Sequence, residues 1–303
     1  TVLNPAGADV RLMLSGDLHH YARYTGEDNQ RQLIHCGGGG AYLFPTHRMP
    51  AEIPVPPPAP RTHKLSEPTK PYALQSTFPT KATSRKYAMG VFWRVPTRNP
   101  GFIGLLGGAQ TAFMLSIFAL FENITVTAHR WLELPTAVTG LLILAGAVLF
   151  AKLPTGGSLN AGRRIVLGLV HGAAQIAAGV LGTWLWLKLP LIHSRWPWPL
   201  PSTVVYFVVM GVVATLIFCA YLLLASSFGV NTNELFSGQS IIDAKSFLRL
   251  RIGTDGTLTI YPIAVPRVSR SWRAMPAAAP TAPWLEPTKP IYYELAEGPV
   301  RIP

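Results

Sequence analysis

Four long apolar segments constrain this chain more than any other feature of its sequence. Crossing about 30 Å of hydrocarbon as a helix takes about 20 residues, and each segment is close to that length or longer. Inside a bilayer a helix satisfies its own backbone donors and acceptors, which a single extended strand cannot do. The segments carry no charged residue and comprise residues 102–121, 134–151, 165–187 and 203–228. The sequence therefore predicts four transmembrane helices.

The composition of the chain agrees with this interpretation. Of its 303 residues, 49% are hydrophobic and 13% are charged, whereas soluble proteins carry roughly 25% charged residues. These values exclude an ordinary soluble enzyme and a disordered chain. Cys36 and Cys219 are too few for a disulfide framework. We attribute the net charge of +12 to membrane topology and anionic lipids, because we find no nucleic-acid-binding module in the sequence.

The distribution of Lys and Arg around the four segments predicts their orientation. Short loops that stay on the cytoplasmic side carry an excess of these residues. The stretches before the first segment, between the second and third, and after the fourth hold eleven of them, against three in the other two loops. We therefore expect both termini in the cytoplasm, with the lipid bilayer as a partner. Five tryptophans cluster at the predicted outer boundary: Trp131, Trp184, Trp186, Trp196 and Trp198.

The remaining segments predict one cytoplasmic domain built from both ends of the chain. Residues 1–47 contain two short strand-like runs, and residues 48–101 form a proline-rich and then basic linker. After the helical domain at 102–228, residues 229–303 include two alternating runs, 246–252 and 257–263, around a glycine turn. This pattern predicts a β-hairpin. Because an isolated hairpin is marginally stable in water, we expect it to pack on residues 1–47.

A possible metal site follows the first strand-like run. Asp17, His19 and His20 lie within four residues of each other, and oxygen and nitrogen donors at a strand end can converge on a divalent metal. Such a metal can convert bound water to hydroxide. The alternative is an exposed polar loop with a histidine stacked on Tyr21 or Tyr24. Spacing alone leaves both interpretations open.

Two further patterns also allow two interpretations each. The four glycines at 37–40 can present backbone N–H groups to a phosphate, or can serve an unusual turn or a close approach to a neighbouring strand. Within the apolar segments, Gln110, His171 and Gln175 are polar. They indicate either a transport relay or, as we favour, a neutral histidine bonded to a neighbouring helix. Gly168 and Gly172 predict close helix packing.

Several stretches together resemble the last part of the catalytic domain in a bacterial group of membrane-bound calcineurin-like metallophosphoesterases. They lie on both sides of the apolar segments, and some of them contain the polar and glycine-rich loops described above. The stretches are residues 15–21 (SGDLHHY), 37–47 (GGGGAYLFPTH), 233–239 (NELFSGQ), 245–252 (KSFLRLRI) and 297–302 (EGPVRI).

The resemblance implies a mixed fold, in which four transmembrane α-helices accompany a partial α/β, calcineurin-like β-sandwich domain from both chain ends. It also implies a bacterial inner membrane location, two divalent metal ions of the Mn, Fe or Zn type, and hydrolysis of a phosphate ester by metal-activated water. His19 matches the last metal-ligand motif of that group, and Asp17 stands where the motif has its first histidine.

The other metal-ligand motifs of the group do not occur in this sequence. The resemblance therefore implies the C-terminal part of such an enzyme, which we expect to be inactive by itself. The alternative interpretation is a non-enzymatic four-helix membrane protein that transports, senses or scaffolds.

Overall fold

The computed structural model describes residues 10–27, 29–40, 42–55, 69–122, 133–153, 161–190, 197, 199–275 and 283–303. The predictions that concern Arg130, Trp131, Arg195, Trp196 and Trp198 lie outside these residues. The helices are α1 (Lys81–Met89), α2 (Val91–Arg98), α3 (Gly101–Glu122), α4 (Glu133–Ala151), α5 (Ala161–Leu187), α6 (Pro199–Ser227) and α7 (Thr232–Ser237). The strands are β1 (Leu12–Ser15), β2 (Tyr21–Gly26), β3 (Gln32–Cys36), β4 (Glu52–Val55), β5 (Lys70–Phe78), β6 (Lys245–Ile252), β7 (Leu258–Val265), β8 (Trp272–Ala274), β9 (Leu285–Pro287), β10 (Glu294–Leu295) and β11 (Val300–Ile302).

The chain divides into two compact units. The first, which we call the sheet unit, combines residues 1–86 with residues 241–303 from the other end of the chain. The second, which we call the helical unit, comprises residues 87–240.

Four helices of the helical unit are long and apolar enough to cross a membrane, as the sequence predicts: Gly101–Leu120, Glu133–Ala151, Ala161–Leu187 and Pro199–Ser227. The third and fourth begin about one turn earlier than predicted. Helix α5 continues back through Arg163 and Arg164, which are charged but favourable for a helix. Helix α6 begins at Pro199, where proline is tolerated because the first N–H groups of a helix have no partner within it.

Glycines allow helices α4 and α5 to approach closely. A Cβ atom added to Gly168 would lie 2.6 Å from the Cα of Val148, and one added to Gly172 would lie 2.7 Å from Leu144 Cδ1. Such distances leave no space for a side chain. The close packing that the sequence predicts for these two glycines is therefore confirmed.

The described part of the sheet unit contains the two-stranded sheet β8–β9 and two larger sheets that pack against each other. The first has the strand order β1-β3-β2-β5-β4, with β1 parallel to β3 and the other neighbours antiparallel. In the second, β7 pairs with β6 along one edge and with β10 and β11 along the other. Their shared core contains Tyr21 and Ile34 from the first sheet and Ile260 and Ile302 from the second. The predicted hairpin is confirmed as β6 and β7.

The region predicted as a linker differs from the expectation. Residues 48–101 contain strands β4 and β5 and helices α1 and α2, as well as the undescribed residues 56–68. The prolines do not break the strand pair because Pro54 and Pro71 are paired with each other. In this ladder Leu74 N–H donates to Ala51 O, so these two residues form a hydrogen-bonded pair. Hydrogen-bonded and non-hydrogen-bonded pairs alternate along antiparallel strands. Pro54 and Pro71, three positions further on, therefore form a non-hydrogen-bonded pair, which needs no N–H donor.

One charged contact joins the two ends of the chain within the sheet unit. Arg23 on β2 donates from Nε to Glu297 Oε1 at 2.9 Å and from Nη2 to Glu297 Oε2 at 2.7 Å. Tyr21 O–H also donates to Glu297 Oε1, at 2.5 Å. This paired geometry is the strong form of a charge-assisted hydrogen bond, and it fixes the C-terminal segment on strand β2.

We expect Gly107→Ala to destabilise the helical unit by about 1–3 kcal/mol, the usual cost of overpacking. The added Cβ would lie 2.6 Å from the backbone oxygen of Phe207 on α6. The thermal unfolding midpoint of the full chain in detergent measures this effect. The control is Gly104→Ala, one turn earlier on the same helix, where a Cβ meets nothing within 4 Å. Equal midpoints for the two variants would contradict the prediction.

Candidate functional site

The two residues predicted as metal ligands have different neighbours in the structure. Asp17 is exposed, and its Oδ1 lies 3.5 Å from Nδ1 of His35. The His19 ring packs edge-on against Tyr42, with the ring centroids 4.7 Å apart. The predicted stacking on Tyr21 or Tyr24 is therefore replaced by a contact with a different tyrosine.

His35, a residue that the sequence does not single out, organises this loop. Its Nδ1 lies 2.8 Å from Ser15 Oγ. Its Nε2 lies 2.9 Å from the backbone nitrogen of Leu18 and 2.5 Å from the backbone oxygen of the same residue. Both ring nitrogens therefore hold the polypeptide between β1 and β2 in place, which is a structural role.

His20 is buried between two other rings. Its side chain is 1% exposed, and its ring centroid lies 4.8 Å from that of His35 and 5.4 Å from that of Phe44. Neither ring nitrogen has a hydrogen-bond partner among the residues that the structure describes. Burial, with a smaller contribution from the neighbouring His35 and His19, lowers the pKa of His20 to about 3. His20 is therefore neutral at physiological pH.

These histidines and their neighbours do not form a multidentate metal centre. Within the described ranges, no group of three or more His, Cys, Asp or Glu side chains is placed to hold a metal ion. Asp17 and His19 by themselves do not supply the donors that two metal ions need. The ligand roles of Asp17 and His19, and the two divalent ions, stay predictions.

The glycine run serves close packing at its first two positions. A Cβ atom on Gly37 would lie 2.2 Å from the backbone oxygen of Leu18, and one on Gly38 would lie 2.3 Å from Ser246 Oγ. Gly38 O also accepts a hydrogen bond from Ser246 N–H at 3.3 Å. These contacts support the second of the two interpretations, a close approach to a neighbouring strand.

A second polar cluster lies inside the helical unit, where the sequence singles out Gln110, His171 and Gln175. All three are buried. Gln110 Nε2 on α3 donates to Gln175 O at 3.0 Å and to Gln175 Oε1 at 3.2 Å. Gln175 Nε2 donates to Ala214 O on α6 at 2.9 Å and lies 3.2 Å from His171 Nε2. The cluster therefore joins three helices.

The hydrogen bonds define which groups of this cluster have no partner. Because the Gln175 amide nitrogen is a donor, His171 Nε2 acts as the acceptor and the proton lies on Nδ1. His171 Nδ1 and Gln110 Oε1 are both buried, and neither has a hydrogen-bond partner in the described part of the chain. The first is then an unused donor and the second an unused acceptor.

A cavity of about 270 Å³ adjoins this cluster. All four long helices contribute to its wall, which is apolar apart from the three clustered residues. The lining consists of Phe102, Leu105, Leu106, Ala109, Gln110, Leu142, Ile143, Gly146, Ala147, Phe150, His171, Gln175 and Phe218. On the α6 side, the His171 ring also stacks on Tyr221, with centroids 4.3 Å apart and planes inclined by 12°.

Comparisons with known proteins give little similarity. No protein-family model matches the chain, and no solved structure matches it significantly. A 96-residue stretch is 33% identical to the ribosomal RNA small subunit methyltransferase H of Methylocella silvestris. The match covers 32% of this chain and 28% of the methyltransferase, so the chain spans little more than a quarter of that relative.

These comparisons correct the resemblance drawn from the sequence. The identification as part of a calcineurin-like metallophosphoesterase is wrong, because no family model supports it and the match concerns a methyltransferase. The physical reason lies in the loop itself, where His35 binds backbone groups of the loop and His20 is enclosed by rings. In this loop, His20 and His35 therefore serve packing and loop structure.

We expect the stability of the sheet unit to fall as the pH drops below 6.5, because the unfolded chain protonates His20 near its ordinary pKa of 6.5 and the folded chain only near 3. The contribution of neutral His20 to stability is therefore present above pH 6.5 and is lost as the pH falls from 6.5 to about 3. The loss is about 2 kcal/mol between pH 6.5 and 5. Hydrogen exchange of strand β3 in the full chain, corrected for its intrinsic pH dependence, measures it.

His20→Phe should reduce this pH dependence, since the replacement ring is apolar and cannot bind a proton. A smaller dependence should remain from His47, because burial and the neighbouring Arg48 and Arg85 lower its pKa to about 4. His19→Phe, at the neighbouring and less buried position, is the control and should retain the dependence. An unchanged pH profile in His20→Phe would show that another group is responsible.

Proposed function

We propose that this chain is a non-enzymatic membrane protein that senses a small neutral amphipathic molecule by binding it inside the helical unit. The observation that carries the proposal is the cavity beside Gln110, His171 and Gln175. We further propose that the four helices cross the inner (cell) membrane and leave both termini in the cytoplasm. The excess of Lys and Arg in the corresponding loops supports this orientation.

The chemistry of the cluster favours a hydroxyl group on the ligand. A hydroxyl both donates and accepts hydrogen bonds, so it has a donor suited to Gln110 Oε1 and an acceptor suited to His171 Nδ1–H. Each buried polar group without a partner costs about 1–3 kcal/mol, which binding would recover. A charged head group is disfavoured because the cavity wall contains no Asp, Glu, Lys or Arg side chain.

The size of the cavity sets how many ligand atoms it can surround, and the exposed Leu105 and Leu142 leave one side of it open. A cavity of about 150 Å³ lined by apolar side chains holds a benzene molecule, so about 270 Å³ corresponds to roughly ten or eleven non-hydrogen atoms by the same proportion. The wall requires these atoms to be mostly apolar. A medium-chain alcohol such as 1-decanol has the appropriate size and a single hydroxyl.

The similarity to the ribosomal RNA methyltransferase adds no activity to this proposal. It covers 28% of that enzyme, and a segment of that extent does not bring the activity of the whole enzyme to this chain. The proposal depends on the polar cluster and the cavity alone.

Photolabelling tests the proposal. The full chain in lipid nanodiscs is irradiated with a decanol that carries a diazirine in its alkyl chain, and labelled residues are identified by mass spectrometry. We expect label on cavity residues such as Phe150 and Phe218. Unlabelled 1-decanol should compete at least tenfold better than n-decane or decanoate. His171→Leu and Gln110→Leu should each reduce this advantage of decanol over decane about tenfold.

Gly146→Leu tests the cavity without altering the polar cluster. Gly146 lines the cavity, and a Cβ there meets nothing within 4 Å, so leucine fills the space and should abolish labelling. Gly104→Leu is the matched control, because it also adds a leucine in open space but outside the lining residues. Equal labelling of these two variants, or equal competition by decane and decanol, would refute the proposal.

A further inference from the structure

The outer edge of strand β6 has backbone groups available for pairing. Gly253 N–H donates to Thr257 O, which closes the hairpin with a bonded pair. Alternate residues of an antiparallel strand point their N–H and C=O groups to opposite sides. Counting back from Gly253, the backbone groups of Leu248, Leu250 and Ile252 therefore point away from β7. Among the described strands, β7 alone pairs with β6.

Of this edge, the described residues cover only the first part. Ser246, which also points away from β7, donates its N–H to Gly38 O on the glycine loop. Beyond that point, the side chains of Leu250 and Ile252 are 52% and 77% exposed. They lie on the same face of β6 as Leu248, which packs in the core between the two sheets. An apolar strip thus continues from the core to solvent.

The opposite face of β6 is basic. Arg249 and Arg251 are exposed, and they border a groove with Tyr261 and Ile263 of β7. Neither guanidinium forms an ion pair with any residue that the structure describes. The edge therefore offers unpaired backbone groups, apolar side chains on one face and two positive charges on the other.

A strand with a matching pattern would satisfy all three features. Its backbone would continue the ladder, apolar residues on one face would cover Leu250 and Ile252, and acidic residues on the other would lie opposite Arg249 and Arg251. A second copy of the same strand is a poor occupant, because antiparallel pairing of two β6 edges brings arginines near arginines, and like charges opposite each other are destabilising.

We propose that the edge Leu248–Ile252 of β6 is a docking site for a partner protein, which adds an extended strand of alternating apolar and acidic residues. This site lies entirely in the sheet unit and is independent of the ligand proposed for the helical unit. Burying an exposed apolar edge also removes the aggregation hazard that an open strand presents.

Fluorescence anisotropy with synthetic peptides tests the proposal on the full chain in nanodiscs, with empty nanodiscs subtracted. The probe is a labelled eight-residue peptide in which valine and glutamate alternate. We expect it to bind at least tenfold more tightly than a peptide of alternating valine and lysine. The same valine–glutamate peptide with methylated backbone nitrogens should lose at least tenfold in affinity, since it cannot complete the ladder.

Variants of the protein separate the backbone from the charges. Leu250→Pro removes the outward N–H without breaking a bond to β7 and should weaken binding of the valine–glutamate peptide at least tenfold. Leu250→Val, the matched control, keeps that N–H and should bind within about twofold of the unchanged protein. Combining Arg249→Glu with Arg251→Glu should reverse the preference toward the lysine peptide.

Several outcomes would overturn the proposal. They are no binding of the glutamate peptide, equal binding of the glutamate and lysine peptides, or tight binding by Leu250→Pro. A dimer that is cross-linked through Leu250→Cys at adjacent β6 edges would identify a second copy as the occupant and would also overturn it. If Leu250→Pro fails to fold, the methylated peptide still tests the backbone pairing on the unchanged protein.

Discussion

The hydrogen bonds of Gln175 are the constraint on which the helical unit depends. In an apolar medium an amide without partners is costly, and the Gln175 side chain meets this demand with α3, α6 and its own helix at once. These bonds fix the rotation of three helices about their axes. The cavity then follows, because Gln110 and His171 are held at its wall while small residues, Gly146 and Ala147, face it from α4.

The elements that the sequence predicts are those whose signal is local. An apolar run of about 20 residues and a strict alternation around a glycine turn each specify one element, so the four long helices and the β6–β7 hairpin are found where expected. Strand β2 gives no such signal, because it lies in the middle of its sheet with nearly all residues buried on both faces. Strand β5 is not predicted from the sequence, because prolines precede it and one lies at its start.

The candidate sites likewise differ in whether the sequence gives a local signal for them. The polar cluster in the helical unit is predictable, since a polar residue in an apolar segment is conspicuous and a spacing of four places His171 and Gln175 on one helix face. The environment of the loop histidines is not, because it depends on His35 and Phe44, which are distant in sequence from His20. Sequence spacing shows which donors are near each other but not which neighbours enclose them, so the contacts of His20 and His35 could not be predicted from it.

The ion pair between Arg23 and Glu297 has a consequence for biosynthesis. The two residues are separated by 274 positions, with the four apolar helices between them in the chain. At about 5–20 residues per second, a ribosome needs roughly 14 to 55 s to make that stretch. Strands β1 to β3 therefore leave the ribosome long before the residues that complete their core, and must stay unaggregated until the last helix has been made. The core of the sheet unit can thus be completed only after Glu297 has been synthesised.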